Sequence, residues 1–510
     1  MSLTEPTLDQ QPSYNQANAK LHLDRSSPKN HAVKWSKNAM PRMENSDGAN
    51  QEVDVTIVGG GPTGLMAGFL LQNLGISVSI LDAKKESLRL GGADALNART
   101  QQYLEVAGLL HQLKPSGITC DTICTFSDGV LTSRQNDWWT SLQHVVHKNF
   151  LILGQPELER VLSHKINDGV QYDEKVTSVI EHDDKVHIMC ASGRRMCSKY
   201  VIGADGAKST VRSSIGATYT GTNPEMLWAV IDAIVDTNLE PKQEMMLFQL
   251  QGRTCVMMIP RERGRSRFYV LLDGEVTQRN AEEAIQKHIA PFWIKFKEVE
   301  WYSSFPVKER IASTFISRSG SGRVFLAGDA AHVHSFNGGQ GLNAGVEDAY
   351  SLAWRLAMVL NKSHPLKQST LNVLLRSYDT ERRPTVQNII DVAAALVRHC
   401  ESDARDFVAT VRRNAGYITG MGVCYKGINS PLVTTSHHGI WKAGSRCPDV
   451  ELVTAPGGKN TTLYSEVAYG TWVSDDDSFL VLVRPDMYIA FAGSDVANCE
   501  RSLRSWLLDQ

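Results

Sequence analysis

The most constraining feature of the sequence is a strand–turn–helix–strand pattern over residues 53–82. A β-branched run leads into Gly59, Gly61 and Gly64, which have the G-x-G-x-x-G spacing. Glycines at this spacing allow a tight turn, close approach of the backbone to a pyrophosphate, and close packing of a helix on a strand. Asp82 ends the second strand, where a carboxylate can bind ribose hydroxyls. This unit predicts an adenine dinucleotide site but does not choose between NAD and FAD; the alternative is a glycine-rich turn that binds nothing.

Composition excludes several classes of protein. A net charge of −2 over 510 residues gives no reason to expect nucleic acid or an electrostatic membrane anchor. The nine cysteines include no C-x-x-C pair, which fits reduced thiols inside a cell better than a disulfide framework or a zinc site. No apolar run approaches the roughly 18 residues that span a bilayer, and no secretory signal is visible. We therefore expect a cytoplasmic protein without a transmembrane segment.

The residue composition and the predicted secondary structure change several times along the chain. Residues 1–50 are rich in Gln, Asn, Ser and Pro and predict a disordered tail. Strand patterns dominate residues 216–320 and predict a mostly antiparallel sheet inserted between two parts of the dinucleotide-binding domain. The fold class is α/β. The predicted remaining segments are the first part of the dinucleotide-binding domain at 51–215, a second motif with long helices at 321–420, a linker at 421–443 and a small α/β module at 444–510.

A second glycine-rich motif lies far downstream of the first. Gly328 and Asp329 end a buried strand, and the run Gly338–Asn343 opens a helix. An aspartate at a strand end can hold a ribityl or ribose hydroxyl, and the glycines offer bare N–H groups to a phosphate or an anionic ring. A dehydrogenase that binds only a nicotinamide cofactor does not need this motif, whereas an extended flavin does. The pair of motifs therefore favours FAD.

With the further motif Gly203-Ala204-Asp205-Gly206, the chain resembles the flavin-dependent aromatic hydroxylases (class A FAD monooxygenases) over about residues 53–510. It is most similar to the phenol hydroxylase branch, which includes fungal enzymes that act on polyketides. The resemblance implies a Rossmann-type FAD-binding domain, an inserted substrate-domain sheet, and a thioredoxin-like domain at 444–510. In relatives that last domain helps to form dimers, so a homodimer is left open. The resemblance also implies NADPH or NADH as a co-substrate.

The resemblance assigns cofactor contacts as well. Arg99 would contact the FAD pyrophosphate, Gln155 the ribityl region, and Asp329 the ribityl or diphosphate. The backbone of Gly339–Asn343 would face the isoalloxazine ring. The predicted cofactor-binding residues are Gly59, Gly61, Gly64, Asp82, Arg99, Gln155, Asp205, Gly206, Gly328, Asp329, Gly339, Gly341, Leu342 and Asn343. The family usually has a proline before the double glycine, where this chain has Ser335-Phe336-Asn337.

Two further segments match the family's substrate residues. An A-D-G-L-x-x-R-T segment, whose aspartate deprotonates the phenol, is matched by Ala93–Thr100 with Ala95 in place of glycine. An I-P-R-E…R-F-Y segment is matched by Ile259–Glu262 and Arg267–Tyr269. The predicted catalytic residues are Asp94, Arg261 and Tyr269.

These residue types fit the chemistry of a phenol. Its pKa is about 10, so a base within hydrogen-bond reach helps to form the phenolate. A tyrosine can bond the substrate, and an arginine can stabilise negative charge. In the family a flavin hydroperoxide then donates oxygen, and the site must exclude water. The sequence predicts an FAD-dependent monooxygenase that uses NAD(P)H and O2 to hydroxylate a small aromatic substrate.

Other interpretations stay open. The same oxygen donor would serve epoxidation or dearomatisation of a larger polyketide or terpenoid, and a third hypothesis is a non-enzymatic flavoprotein scaffold. Asp94 could be a turn carboxylate, Tyr269 a core aromatic and Arg261 a surface ion-pair residue. His332 and His334 have H-x-H spacing, but no carboxylate–histidine set completes a metal site, so we predict none. The pair Trp138-Trp139 could line a pocket, pack in the core or form part of a surface patch.

Overall fold

The computed structural model describes residues 51–224, 226–240, 243–251, 253–272, 274–318, 322–336, 338–363, 365–399, 404–449, 452–454, 463–465 and 479–506. The tail predicted for residues 1–50 lies outside these described residues. Among them, no helix is both long and apolar enough to cross a membrane.

The strands run in chain order from the first glycine motif to the C-terminal hairpin. They are β1 (Gln51–Val58), β2 (Val78–Leu81), β3 (Ala95–Leu96), β4 (Ile118–Cys120), β5 (Ile123–Ser127), β6 (Val130–Gln135), β7 (Phe150–Ile152), β8 (Val170–Gln171), β9 (Val176–Glu181), β10 (Val186–Cys190), β11 (Arg195–Gly203), β12 (Tyr219–Thr222), β13 (Leu227–Thr237), β14 (Met245–Leu250), β15 (Arg253–Arg261), β16 (Arg265–Leu272), β17 (Ile294–Pro306), β18 (Glu309–Ala312), β19 (Val324–Leu326), β20 (His332–Val333), β21 (His437–His438), β22 (Trp441–Lys442), β23 (Leu452–Thr454), β24 (Leu463–Ser465), β25 (Leu480–Val483) and β26 (Ile489–Gly493).

The helices alternate with the first strands and dominate the last third of the chain. They are α1 (Pro62–Asn73), α2 (Ala98–Val106), α3 (Leu110–Leu113), α4 (Gln155–Ser163), α5 (Thr210–Ser214), α6 (Gln278–Ile289), α7 (Gln340–Leu360), α8 (Gln368–His399), α9 (Ala404–Arg413), α10 (Ala415–Ile418) and α11 (Val496–Trp506). Short 3₁₀ turns lie at Lys114–Ser116, Asp137–Ser141, Glu262–Gly264 and Gly328–Ala330.

The first large sheet has the strand order β8-β2-β1-β11-β10-β9, with β19 also paired to β11. Its centre is parallel, because β1 pairs in parallel with β2 and β11, and β19 pairs in parallel with β11. The central strands are apolar on both faces, because Ile57, Ile80 and Ile202 are buried on one face and Val58, Leu81 and Val201 are buried on the other. A parallel sheet covered on both faces requires this composition. The predicted α/β class is confirmed, and the strand ends point toward the glycine motifs.

The second large sheet has the order β17-β13-β16-β15-β14-β5-β6, antiparallel except for the parallel pair β14–β5. The mostly antiparallel inserted sheet is therefore present. It extends beyond the predicted 216–320 range, because β5 and β6 belong to it. Their partnership is set by long-range pairing, Met245 against Ile123, which no local pattern in the sequence reports. Helix α6 covers one face, with Ile285 among the residues buried against Phe268. Tyr269 lies on the opposite face, as the two-residue side-chain period of a strand requires.

The C-terminal region is held to the long helices by buried charges. Arg484, beside the β25–β26 hairpin, donates to Glu381 on α8 at 2.6 and 2.8 Å. Arg355 on α7 joins the same carboxylate at 2.5 Å. The segment predicted as a linker consists of turns and the small β21–β22 hairpin, and its Tyr425 stacks on Tyr488 at 4.2 Å. Within 444–510, the described residues form short hairpins and α11, so the thioredoxin-like domain stays a prediction.

Candidate active site

The sequence motifs converge on one cavity of about 770 Å³. It lies where the first sheet, the inserted sheet and the N-terminus of α7 come together. Among the residues predicted to bind cofactor, those that line it are Gly59, Gly61, Asp82, Gln155, Asp205, Gly206, Asp329, Gly339, Gly341 and Leu342. Two of the predicted catalytic residues, Asp94 and Tyr269, also line it. Motifs that are far apart in the chain therefore form one site.

The glycine turn after β1 has little room for side chains. Gly59 has φ +110°, and a Cβ there would lie 2.1 Å from the carbonyl oxygen of Ala204. Gly64 does not line the cavity; a Cβ there would lie 1.9 Å from the oxygen of Gly59, so it permits helix α1 to close on the turn. A Cβ at Gly61 meets nothing within 4 Å. That open space lies at the N-terminus of α1, where backbone N–H groups can receive a phosphate.

Each of the three motif aspartates has a different surrounding. Asp82 is buried and accepts the Gly60 N–H at 2.6 Å, which ties the second strand to the glycine turn. Asp205 accepts a hydrogen bond from Ser209 Oγ at 2.5 Å and so stabilises the start of α5. Burial raises the pKa of Asp205, although the hydrogen bonds to its carboxylate act in the opposite direction. Asp329 is exposed toward the cavity. Asp329 is thus the motif carboxylate that faces the cavity most openly.

Two residues of the downstream motif organise the wall from behind. Asn343 in the first turn of α7 donates to the Ala95 oxygen at 2.8 Å and accepts the Asn97 N–H at 3.0 Å. These bonds fasten the segment that carries Asp94 to the start of α7. Gly328 is buried and donates its N–H to Asp348 at 2.9 Å.

The two histidines of the H-x-H sequence have separate partners. His332 Nε2 pairs with Asp348 at 2.7 Å, while His334 Nδ1 bonds the Ser335 oxygen at 2.8 Å. His334 lines the cavity, and burial lowers its pKa to about 4. No group of three potential metal ligands occurs among the described residues.

Arg99 lies apart from the cavity. It is buried and donates to the Asp486 backbone oxygen at 2.8 Å and to Gln102. Its guanidinium lies over the rings of Tyr103 and Tyr488, 4.4 and 4.8 Å from their centroids. In this arrangement Arg99 joins helix α2 to the C-terminal hairpin. The sequence motif identifies Arg99 as a candidate residue, but it does not predict these contacts with a distant part of the chain.

A buried ionic cluster surrounds Asp94. Tyr269 Oη lies 3.4 Å from both Asp94 oxygens, and Arg267 Nη1 lies 3.4 Å from Asp94 Oδ2. Arg267 is held in turn by two 2.6 Å bonds to Asp232 and a 2.5 Å bond to the Gly92 oxygen. Burial raises the pKa of Tyr269 above its ordinary value, and the negative charge of Asp94 adds to this effect. The hydroxyl therefore stays protonated at neutral pH.

Arg267, rather than the predicted Arg261, is the arginine that lines the cavity. Arg261 is buried at the end of β15, bonded to Glu262 at 2.9 Å and to Asp232 at 3.3 Å, so it is not a surface ion-pair residue either. The sequence does contain the signal for Arg267: residues 267 and 269 are two apart on a strand and share a face. Asp232, directly opposite Arg267 in the sheet, is an acid between the apolar residues Ile231 and Ala233 of β13.

A second, apolar cavity of about 70 Å³ adjoins the first. The two share Asp94, Ala95, Tyr269, Phe336 and Gly339, so the ionic cluster lies at their junction. The remaining lining is Ile123, Trp138, Phe150, Met245, Leu247, Met257, Ile259, Gly338, Leu396, Phe407, Val411 and Ile418. Most of these residues come from the inserted sheet and from helices α8 to α10, while Trp138 lies in a 3₁₀ turn, Phe150 on β7 and Gly338 just before α7. Trp138 thus lines a pocket, which is one of its predicted roles.

Phe336 belongs to the segment before the double glycine, and its ring stacks on Tyr269 with centroids 4.2 Å apart and an interplanar angle of 6°. Trp228 meets the same ring edge-on at 4.7 Å. Phe336 therefore forms part of the partition between the two cavities and braces Tyr269. Nothing in the local sequence predicts this stack.

Comparison with known proteins agrees with this geometry. A model of the FAD binding domain family matches residues 52–393. An FAD-dependent monooxygenase of Aspergillus thermomutatus is 30% identical, over 66% of this chain and 61% of the relative. A phenol 2-monooxygenase of Aspergillus fumigatus is 27% identical, over 79% of this chain and 72% of the relative.

Among solved structures, aklavinone-11 hydroxylase, in a ternary complex with FAD and aklavinone, superposes with a TM-score of 0.70 at 21% identity. That match covers 92% of this chain and all of the other. The chain spans 61% of the length of the first relative named above. The resemblance drawn from the sequence motifs is confirmed: the chain belongs to the FAD binding domain family, together with FAD-dependent monooxygenases.

Proposed function

We propose that the protein is an FAD-dependent monooxygenase that hydroxylates a phenolic ring with NAD(P)H and O2. The observation that carries the proposal is the position of Asp94: a buried carboxylate at the junction of a dinucleotide-sized cavity and an apolar cavity, beside Tyr269 and Arg267. A cofactor and an aromatic substrate placed in these two cavities would meet at Asp94. The names of the relatives, an FAD-dependent monooxygenase and a phenol 2-monooxygenase, point in the same direction.

The larger cavity fits FAD by its chemistry. Open space at Gly61 before the N-terminus of α1 suits the pyrophosphate, and Asp82 and Asp329 offer carboxylates to hydroxyl groups. The backbone of Gly341 and Leu342, at the start of α7, would face the anionic edge of the ring. When bound and reduced, FAD supplies the activated oxygen.

The chain's own residues then have defined tasks. Asp94 accepts the phenol proton, and a phenolate ring is more electron-rich than a phenol. Arg267, itself fixed by Asp232, holds the Asp94 carboxylate in position. Tyr269, protonated at neutral pH, donates a hydrogen bond to the substrate oxygen. The apolar lining of the smaller cavity excludes water from the reacting ring.

The test is turnover by the purified protein. We expect bound flavin, NAD(P)H consumption that a phenol accelerates, and a product heavier by one oxygen atom. Asp94→Asn is the matched control, which should keep the flavin and lose most of the acceleration. Flavin-loaded protein that no phenol stimulates would contradict the proposal. The cytoplasmic location and the homodimer are part of the same proposal, and sedimentation of the holoprotein tests the dimer.

A further inference from the structure

One buried residue in the wall of the apolar cavity carries a hydrogen-bond donor without a partner. The adjacent residues Trp138 and Trp139 are both buried, and their rings lie 4.2 Å apart. Trp139 Nε1 donates to the Asp121 backbone oxygen at 3.0 Å. Trp138 Nε1 is buried and has no hydrogen-bond partner among the described residues. Of these two neighbouring indoles, only Trp138 lines the apolar cavity.

A buried N–H without an acceptor is unfavourable, since it loses its hydrogen bond to water and gains none in return. A ligand oxygen in the cavity would remove that cost. Trp228 and Trp441 also have unpaired indole N–H groups among the described residues, but neither lines this cavity. The combination of an unpaired donor and a place on the cavity wall is therefore particular to Trp138.

The lining also limits the charge of the acceptor. Among the described residues around this cavity, the only charged side chain is Asp94, which is negative. Its positive partner Arg267 is already held by two bonds to Asp232. A carboxylate placed beside Trp138 would have no cation to pair with, and a buried unpaired charge is strongly disfavoured. A ketone, ester or ether oxygen needs only a donor.

We propose that Trp138 binds a neutral oxygen acceptor on the part of the substrate that lies away from the reacting ring. This rests on the proposed function, and it narrows the substrate class to uncharged phenols that carry a carbonyl or ether group. The phenolic oxygen lies at Asp94 and Tyr269, and the acceptor lies at Trp138 within an otherwise apolar pocket. Trp138 is a specificity-determining residue for this reaction.

The experiment compares matched ligands on the FAD-loaded protein. One ligand is a hydroxyphenyl-alkyl ketone whose carbonyl is separated from the ring by two methylene groups. The second is the alkylphenol of equal chain length, and the third is the corresponding carboxylic acid. Because the methylene groups insulate the ring, the phenol pKa is the same in all three. Dissociation constants are measured from the perturbation of the flavin absorbance, independently of turnover.

We expect the ketone to bind about ten-fold more tightly than the alkylphenol, and the acid to bind most weakly. In Trp138→Phe the ratio of ketone to alkylphenol affinity should fall to about one. Trp441→Phe, which removes an unpaired indole away from both cavities, should preserve the ratio.

Equal affinity of the wild-type protein for ketone and alkylphenol would overturn the inference, as would an unchanged ratio in Trp138→Phe. The wild-type comparison needs no variant, so it holds even if Trp138→Phe fails to fold. Alkylphenol-stimulated turnover without a preference for the ketone would contradict this inference and leave the proposed function standing. If none of the phenols perturbs the flavin, both fall.

Discussion

The two cavities are built in different ways. Part of the wall of the larger cavity is formed by short backbone motifs at strand ends, such as the turn at Gly59 and the start of α7. The smaller cavity is lined largely by apolar side chains, most of which lie on the inserted sheet and on helices α8 to α10. A backbone wall tolerates little change, because a single Cβ can fill it. Substitutions in a wall made of side chains can change which ligand binds while the fold is kept.

Substitution of Gly64, which lies behind the glycine turn that forms part of this wall, should have the largest effect. Its added Cβ would lie 1.9 Å from the Gly59 oxygen, so Gly64→Ala must displace either α1 or the turn. We expect a loss of bound FAD and a destabilisation of about 3 kcal/mol. Gly61→Ala is the matched control, since its Cβ meets no protein atom, and it should weaken FAD while leaving the apoprotein stable. The flavin content and the denaturant unfolding of each variant measure FAD binding and stability. Normal flavin content in Gly64→Ala would contradict the claim that this turn has no room for a side chain.

Asp94→Asn removes the base at the junction and should lower hydroxylation at pH 7 by about 10²–10³-fold, with FAD retained. Activity should recover as the pH rises toward the phenol pKa of about 10, because the substrate then ionises without help. The pH–rate profile of the variant beside that of the wild type is the measurement. A parallel profile, with no recovery at alkaline pH, would remove Asp94 from the base role.

Arg267 lines the larger cavity, whereas Arg261 lies in the sheet behind it, so substitutions of the two should have different effects. Arg267→Lys loses the paired bonds to Asp232 and should reduce kcat by about ten-fold or more, since a lysine cannot reproduce the guanidinium fork. Arg261→Lys should mainly reduce stability, because Arg261 lines neither cavity. Steady-state kinetics and thermal unfolding of both variants separate the effects. If Arg261→Lys impairs kcat more than Arg267→Lys does, our assignment of the arginine is wrong.

His334 gives the cavity a pH-dependent stability. Its folded-state pKa of about 4 lies below the usual value of about 6.5, so between these values the unfolded chain binds more protons. Stability should therefore fall as the pH drops from 6.5 toward 4, by up to about 3 kcal/mol for the apoprotein. His334→Asn should flatten this part of the profile. Denaturant unfolding at several pH values tests the sign, and identical profiles for the two proteins would contradict it.

Substitution of Phe336, in the partition between the cavities, should have the smallest effect on the fold. Phe336→Leu removes the stack on Tyr269 and widens the passage between the cavities. We expect a few-fold change in KM that favours bulkier phenols, with bound FAD unchanged. A kinetic comparison of a small and a bulky phenol checks this. Loss of flavin instead would place Phe336 in the cofactor wall rather than the partition.

These contrasts also explain what the sequence could and could not predict. The roles of Gly59, Gly64 and Asp82 follow from local spacing, because each contacts residues of its own strand–turn–helix unit or of the strand beside it. Asp94 and Tyr269 were identified by resemblance, and the structure brings them together. Arg99 and Phe336 acquire their partners, Asp486 and Tyr269, only through long-range packing. The same is true of Trp138, whose cavity is lined by residues as far apart in the chain as Asp94 and Ile418.

The most direct test of the account is the crystal structure of the protein with FAD and a bound phenol. We predict FAD in the larger cavity with its pyrophosphate at the turn of Gly61. The phenol oxygen should lie within about 3 Å of Asp94 or Tyr269, and its substituent should lie in the apolar cavity. A phenol bound elsewhere, with Asp94 contacting only Arg267 and Tyr269, would contradict the claim that chemistry takes place where the two cavities meet.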